Sequence, residues 1–277
     1  PLNFFRIDEG SAPDQPTLLE WLNTPPNPTH FAAVIGSPVS HSYTPTEQRE
    51  FFSQLGLPVF SIEIKDEEFH EAFSVLQRLG LKAAAVTSPL KNRAFQVCHQ
   101  LTEIAQTHAS VNTLYLNQDG QVRGHNTDLE GFSHLIAQVE IKSPVVLWGG
   151  GGTLPIMKQV LPHALPFSAR TGKIRDGNGD GDGDHVHDID KDITCSCSRS
   201  LSRSPQPHTL IWAAGKNQPP LEWQPQIVVD LNYTECSPGK EYALLRGCQY
   251  INGLKMFKAQ AKLQREFWAP LFAEEVQ

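Results

Sequence analysis

Val145-Val146-Leu147-Trp148-Gly149-Gly150-Gly151-Gly152-Thr153-Leu154 is the stretch that decides the fold. Four apolar residues between Pro144 and a glycine run read as a short buried strand. Leu154 to Leu161 then keeps helical spacing. Strand, glycine turn and helix in immediate succession form the context that a dinucleotide loop requires. Glycines let a pyrophosphate approach the backbone, and the helix N-terminus attracts its charge. The same glycines also suit a turn that packs closely and binds nothing.

Working outward, Leu165 to Ala169 reads as the next strand, and Thr209 to Ala213 and Gln226 to Leu231 as two more. Toward the N-terminus the alternation of strands and helices continues. Phe31 to Gly36 is an apolar strand, and Thr46 to Leu55 a helix with Phe51, Phe52 and Leu55 as its buried stripe. Val59 to Ile64 alternates as a strand, and Phe69, Phe73, Leu76 and Leu79 keep helical spacing. Ala83 to Thr87 is a strand, and Thr113 to Val122 a hairpin turning at Gln118-Asp119-Gly120. Strands separated by helices predict largely parallel sheets covered by helices on both faces, an α/β fold.

Two short runs look like strand ends turning into helices, where α/β proteins place their chemistry. One is Ala85-Val86-Thr87-Ser88-Pro89-Leu90-Lys91, the other Gly124-His125-Asn126-Thr127-Asp128. A lysine and an aspartate delivered to one cleft form a proton-transfer pair beside a carbonyl. Taken singly, each is equally an ordinary surface charge, because structural ion pairs are common. Two further runs flank them: Gly36-Ser37-Pro38-Val39-Ser40-His41-Ser42-Tyr43-Thr44-Pro45 and Ser110-Val111-Asn112-Thr113.

In this order the runs resemble the shikimate dehydrogenase family, whose pattern reads roughly G-x-P-x-x-H-S-x-S-P, N-V-T-x-P-x-K, A-V-N-T and G-x-N-T-D. Gly149 to Thr153 sits where that family has G-A-G-G. Asn252-Gly253-Leu254-Lys255-Met256-Phe257-Lys258-Ala259-Gln260-Ala261 looks like its closing G-L-x-M-x-x-x-Q-A. The resemblance covers roughly residues 31 to 265. It implies a substrate-binding α/β domain at 29–130 plus 252–277 and a Rossmann-like NADP-binding domain at 131–251, with the C-terminal helix returning to the first. It also implies a reversible, NADP-linked reduction of 3-dehydroshikimate to shikimate.

By the same resemblance Lys91 and Asp128 are the catalytic pair. Ser42 and Thr44 hold the substrate carboxylate, although their alternative is a helix cap. Thr87, Asn112, Asp128 and Gln260 hold ring hydroxyls, and Tyr233 lies near substrate and nicotinamide. Gly149, Gly150, Gly151, Gly152, Thr153, Gly253 and Met256 serve the cofactor. Arg170, in Ser168-Ala169-Arg170-Thr171, would fork onto the 2′-phosphate of NADP. Two departures stand out. Ala85 replaces a usual asparagine and Gln48 a usual histidine, which keeps quinate or a related ring acid open as substrate. A ring-acid-binding homologue with impaired cofactor binding is a third reading.

Residues 172 to 205 lose all periodicity and are expected to be a disordered loop. Residues 176 to 192 hold seven aspartates against one lysine, nearly all of the net charge of −7, and should weaken cofactor affinity. The run opens like an EF-hand loop, but its twelfth position is His187 rather than glutamate. His185, His187, Cys195 and Cys197 match no common zinc spacing, so no metal is expected. No basic stripe exists, which argues against nucleic acid. No run of about 18 apolar residues or basic-then-apolar leader is visible, so neither a membrane span nor a signal peptide is read. Five cysteines at irregular spacing suit reduced thiols in the cytoplasm. Residues 1–28 stand outside the family pattern. Gly10-Ser11-Ala12-Pro13-Asp14-Gln15 resembles the S-A-x-x-Q segment of type I 3-dehydroquinate dehydratases, which suggests a bifunctional protein with a fused dehydratase barrel. A generic N-terminal extension is the alternative.

Overall fold

The computed structural model describes residues 29–39, 42–175, 206–215, 219 and 222–275. In chain order the elements are β1 (Phe31–Gly36), α1 (Thr44–Gln54), β2 (Val59–Glu63), α2 (Phe69–Arg78), β3 (Leu81–Val86), α3 (Lys91–Gln96), β4 (Gln100–Leu101), α4 (Glu103–His108), β5 (Thr113–Leu116), β6 (Val122–His125) and α5 (Asp128–Ile136). There follow β7 (Val145–Gly149), α6 (Leu154–Val160), β8 (Leu165–Phe167), β9 (Thr209–Ala213), β10 (Ile227–Asp230), α7 (Pro238–Arg246), β11 (Gln249–Asn252) and α8 (Leu254–Glu274). They fall into two compact units. One holds the described residues up to Leu135 and those from Lys255 on; the other runs Ile136–Leu254.

The first unit is built on a six-stranded sheet in the order β2-β1-β3-β5-β6-β4. The sheet is mixed rather than largely parallel. β1 pairs in parallel with β2 and β3, and β4 with β6, but β5 runs antiparallel to both β3 and β6. The reason is local: Asn117 to Gly120 make a tight turn, Gly120 at φ +76°, that sends β6 straight back along β5. β1 shows why a continuous apolar run suits a central strand. Ala33 and Ile35 pack on the side of Phe69, Phe73 and Leu76 of α2, while Ala32 and Val34 pack with Phe52 of α1 and Trp268, Leu271 and Phe272 of α8. Each large side chain so buried stabilises the unit by roughly 1.5–3 kcal/mol. The expected stripe of α1 is narrower: Phe52 is buried but Leu55 is exposed, because the helix ends at Gln54 and Leu55 is its C-cap. Leu79 is likewise exposed beyond the end of α2.

α8 lies against the first sheet by polar pins as well as apolar contact. Trp268 donates its indole N–H to Leu114 O at 2.9 Å, and Tyr115 donates its hydroxyl to Leu271 O at 3.0 Å. The second unit is a five-stranded, wholly parallel sheet in the order β11-β10-β9-β7-β8. Trp148, Trp212, Trp223 and Tyr242 fill its core. β8 is shorter than expected because the chain turns back after Phe167. Ser168 donates its backbone N–H to Lys173 O at 2.8 Å, and Phe167 bridges Ile174 antiparallel, so residues 172–175 close an ordered turn. Residues 1–28 and 176–205 lie outside the described residues, and with them the dehydratase-like run, the aspartate-rich stretch, His185, His187, Cys195 and Cys197. Among the described residues no helix is long and apolar enough to cross a membrane, and Cys98, Cys236 and Cys248 are free thiols.

Candidate active site

In the first unit, three loop ends converge. Lys91 is the first residue of α3, Asp128 the first of α5, and Asn112 immediately precedes β5. Lys91 Nζ donates to Asp128 Oδ2 at 2.7 Å across 37 positions of chain. Asp128 Oδ1 accepts from Gln260 Nε2 of α8 at 2.7 Å and from Asn112 Nδ2 at 3.0 Å. Its backbone N–H donates to Asn126 Oδ1 at 2.8 Å. Charge-assisted bonds of this kind are about twice as strong as neutral ones. The carboxylate is therefore fixed from three directions.

The pair is asymmetric. The Asp128 side chain is 2% exposed and that of Lys91 22%. Each of the two opens a helix, and the bond that joins them spans from the start of α3 to the start of α5. An ammonium carries three N–H donors, and the bond to Asp128 uses one. The arrangement presents a positioned proton donor at the outer edge of a rigid polar cluster.

Gly131 makes the cluster possible. A Cβ there would sit 2.5 Å from Gln260 Cγ, so any side chain at this turn of α5 would push α8 and the Gln260 amide away from Asp128. Asn112 is only 4% exposed, and its amide is taken up by protein partners: Oδ1 accepts from Thr113 Oγ1 at 2.8 Å and Thr127 N at 3.0 Å. It is suited to holding Asp128 rather than to reaching a ligand. Ser42 donates to Thr44 Oγ1 at 3.0 Å and accepts from the Thr44 N–H at 3.2 Å. Tyr43, at the N-cap of α1, gives no side-chain cap bond, and Ser42 Oγ instead takes up the N–H of Thr44, the first residue of the helix, so the hydroxyl pair also serves the helix start. Thr87 is half-buried at the end of β3, against the side chain-free Gly36. Ala85 belongs to the apolar cluster of α1 and α8 and brings no polar group to this site.

In the second unit the glycine turn follows β7. Gly149, Gly150 and Gly151 have φ of +85°, +107° and +44°, a left-handed path that L side chains rarely take. Gly150 donates its N–H to Ala213 O of the neighbouring strand at 3.0 Å, and Thr153 donates its hydroxyl to Gly150 O at 2.6 Å. Gly151 and Gly152 face open space, so a bulky anion could approach their backbone. Pro155, in the first turn of α6, removes one amide donor that such a loop normally offers. Arg170 is exposed in the turn after β8, the strand that pairs with β7, and Lys173 shares that turn. An open glycine turn after one strand and an exposed arginine in the loop after the neighbouring strand are the parts a phosphorylated dinucleotide would need.

Gly253 is buried against the backbone of Leu231, where a Cβ would lie 2.2 Å from the carbonyl oxygen, and it donates its N–H to Asn232 O at 3.0 Å. This seats the half-buried Tyr233. Behind that loop, Asp230 accepts from the Asn232 N–H at 2.9 Å, from Asn232 Nδ2 at 2.8 Å, from Tyr250 OH at 3.2 Å and from Ser237 Oγ. Burial pushes its carboxyl above the usual range, opposed by these bonds. Met256, of the first unit, is buried at the start of α8. Sequence reasoning gave no role to Asn126, Gly131, Gln264 and Asp230, although Asn126 lay in a quoted run and Asp230 in an expected strand.

By its fold the chain is a two-unit α/β protein with a Rossmann-like second unit. Residues 34–114 match the shikimate dehydrogenase substrate binding domain model. A shikimate dehydrogenase (NADP(+)) of Prochlorococcus marinus (strain MIT 9301) is 34% identical over 137 residues, 48% of each chain. That of Helicobacter hepaticus is 29% identical over 136 residues, 49% of this chain and 51% of the relative. The chain thus spans about half the length of the curated relatives it matches. In fold it resembles shikimate dehydrogenase 1 of Peptoclostridium difficile, with a TM-score of 0.63 at 19% identity over 87% of this chain and 92% of that one. The Thermus thermophilus shikimate 5-dehydrogenase in complex with NADP(H) and shikimate gives 0.60 at 19%, over 86% and 93%.

Proposed function

We propose that the protein is an NADP-dependent shikimate dehydrogenase, reversibly reducing 3-dehydroshikimate to shikimate. The observation that carries the reading is the Lys91–Asp128 pair at 2.7 Å, clamped by Gln260, in a unit whose residues 34–114 match the shikimate dehydrogenase substrate binding domain model. When bound, NADPH supplies a hydride from its nicotinamide ring. Lys91 gives a proton to the oxygen of the ring ketone as it becomes an alkoxide, and Asp128 orients the ammonium and stabilises it. Ser42 and Thr44 offer hydroxyls to the substrate carboxylate, Thr87 and Gln260 bond the ring hydroxyls, and Tyr233 serves substrate and nicotinamide, as the resemblance implies. Asn112 acts through Asp128. Gly149, Gly150, Gly151, Gly152 and Thr153 receive the pyrophosphate, with Gly253 and Met256 completing the cofactor set and Arg170 on the 2′-phosphate.

Domain roles follow: 29–130 with 252–277 binds substrate and 131–251 binds NADP. The reading places the protein in aromatic amino-acid biosynthesis and in the cytoplasm, where the thiols of Cys98, Cys236 and Cys248 would stay reduced. The dehydratase fusion rests on the Gly10–Gln15 resemblance alone. The test is loss of NADPH absorbance on adding 3-dehydroshikimate, run beside NADH and, in reverse, with quinate. Turnover confined to NADP and the shikimate pair is expected. Absence of turnover together with absence of shikimate binding by calorimetry would overturn the reading.

A further inference from the structure

Gln48 stands one helical turn beyond Thr44 on α1, and both are buried, Gln48 completely. A carboxamide taken wholly out of water costs free energy unless its donors and acceptor are met. Here all are met by one element. Gln48 Nε2 donates to Ala261 O at 3.0 Å and to Gln264 Oε1 at 3.1 Å, both on α8. Its Oε1 accepts from Arg265 NH1 at 3.1 Å, and Arg265 also reaches Glu47 Oε1 at 3.4 Å. Gln264 in turn donates to Asn112 O at 3.2 Å, and Asn112 donates to Asp128. One turn earlier on α8, Gln260 grips Asp128 directly. An unbroken chain of bonds therefore links the helix that starts with Thr44 to the carboxylate that holds Lys91.

Resting on the proposed function, we infer that Gln48 is a positioning residue: it fixes the Ser42–Thr44 hydroxyl pair relative to the Lys91–Asp128 pair, and so sets affinity for the carboxylate end of the ring acid. A ligand held at both ends needs that span held constant, and a shift of about 1 Å between positioning groups is costly. Gln48 touches neither substrate nor proton path, so its effect falls on binding rather than on the proton step. Arg265 makes the clamp selective. It requires an acceptor at Gln48 Oε1, which an apolar side chain of equal length cannot give.

The test uses the full chain with Gln48→Met, which keeps length and volume, and Gln48→Glu, which keeps the acceptor for Arg265 but loses both donors. Binding of shikimate, and of the same ring triol lacking its carboxyl group, is measured by calorimetry, with steady-state rates alongside. Gln48→Met is expected to raise the Kd and KM for shikimate about tenfold, the equivalent of one or two net hydrogen bonds. Its kcat should stay within about twofold, and its affinity for the carboxyl-free triol should equal that of the wild type. Gln48→Glu should fall between them. Equal shikimate affinity in Gln48→Met and wild type overturns the inference alone, as does an equal loss toward both ligands, the mark of general loosening. A wild type that binds no shikimate overturns the proposed function and this inference together.

Discussion

The two candidate sites are made of different material. In the first unit the site consists of side chains: Lys91, Asp128, Asn112, Gln260 and Gln264, buried or nearly so, each engaged by another. In the second unit it consists of backbone, a left-handed glycine turn with open space in front of Gly151 and Gly152 and one exposed arginine nearby. The first site is organised before any ligand arrives. The second has little to organise, because a glycine path needs only its φ angles and an absence of Cβ atoms. Under the proposed function the contrast separates the tasks: side-chain geometry for a proton step, backbone shape for holding a cofactor that brings its own chemistry.

Breaking the side-chain site should give the largest effect. Lys91→Ala is expected to lower kcat by roughly 10²- to 10⁴-fold, the usual contribution of a positioned acid–base group. The KM for shikimate should move much less, as read by steady-state absorbance. A milder effect is expected at the other site. Arg170→Ala should raise the KM for NADPH about tenfold, as for one charge-assisted bond, while leaving the KM for NADH unchanged. An equal loss toward both cofactors would show that the arginine acts elsewhere.

The smallest effect concerns stability. His125 is stacked on Phe267 of α8 at 5.0 Å, with Thr102 Oγ1 3.0 Å from its Nδ1, and burial holds its imidazole below the usual histidine range. Below about pH 6.5 the unfolded chain takes up a proton that the folded one resists. Stability contributed by neutral His125 is thus present above that pH and lost as pH falls through the lowered folded value. Denaturant melts across pH 5–8 should show this slope in the wild type and a flatter one in His125→Gln. Identical slopes would contradict the assignment.

Much of this was legible in the sequence, for identifiable reasons. β1 and β9 announce themselves because strands buried on both faces are apolar without interruption. The Lys91 and Asp128 runs were visible because both residues open helices directly after a strand or turn. What escaped were contacts between helices. Gly131 and Gln264 look like ordinary helix residues, Gln48 stands out only as a departure from the family pattern, and the approach of α8 to α1 and α5 gives all three their contacts. The β5–β6 hairpin is read from its turn, but that β5 also pairs antiparallel with β3, making the sheet mixed, leaves no mark on the alternating pattern.

A double-substitution cycle tests most directly whether Lys91 and Asp128 act as one proton-transfer unit. Turnover of 3-dehydroshikimate would be compared among the wild type, Lys91→Ala, Asp128→Asn and the two combined. A single unit predicts that the combined variant is no slower than the worse single variant, because either loss disables the same step. Losses that multiply, or a Lys91→Ala variant with undiminished kcat, would contradict it.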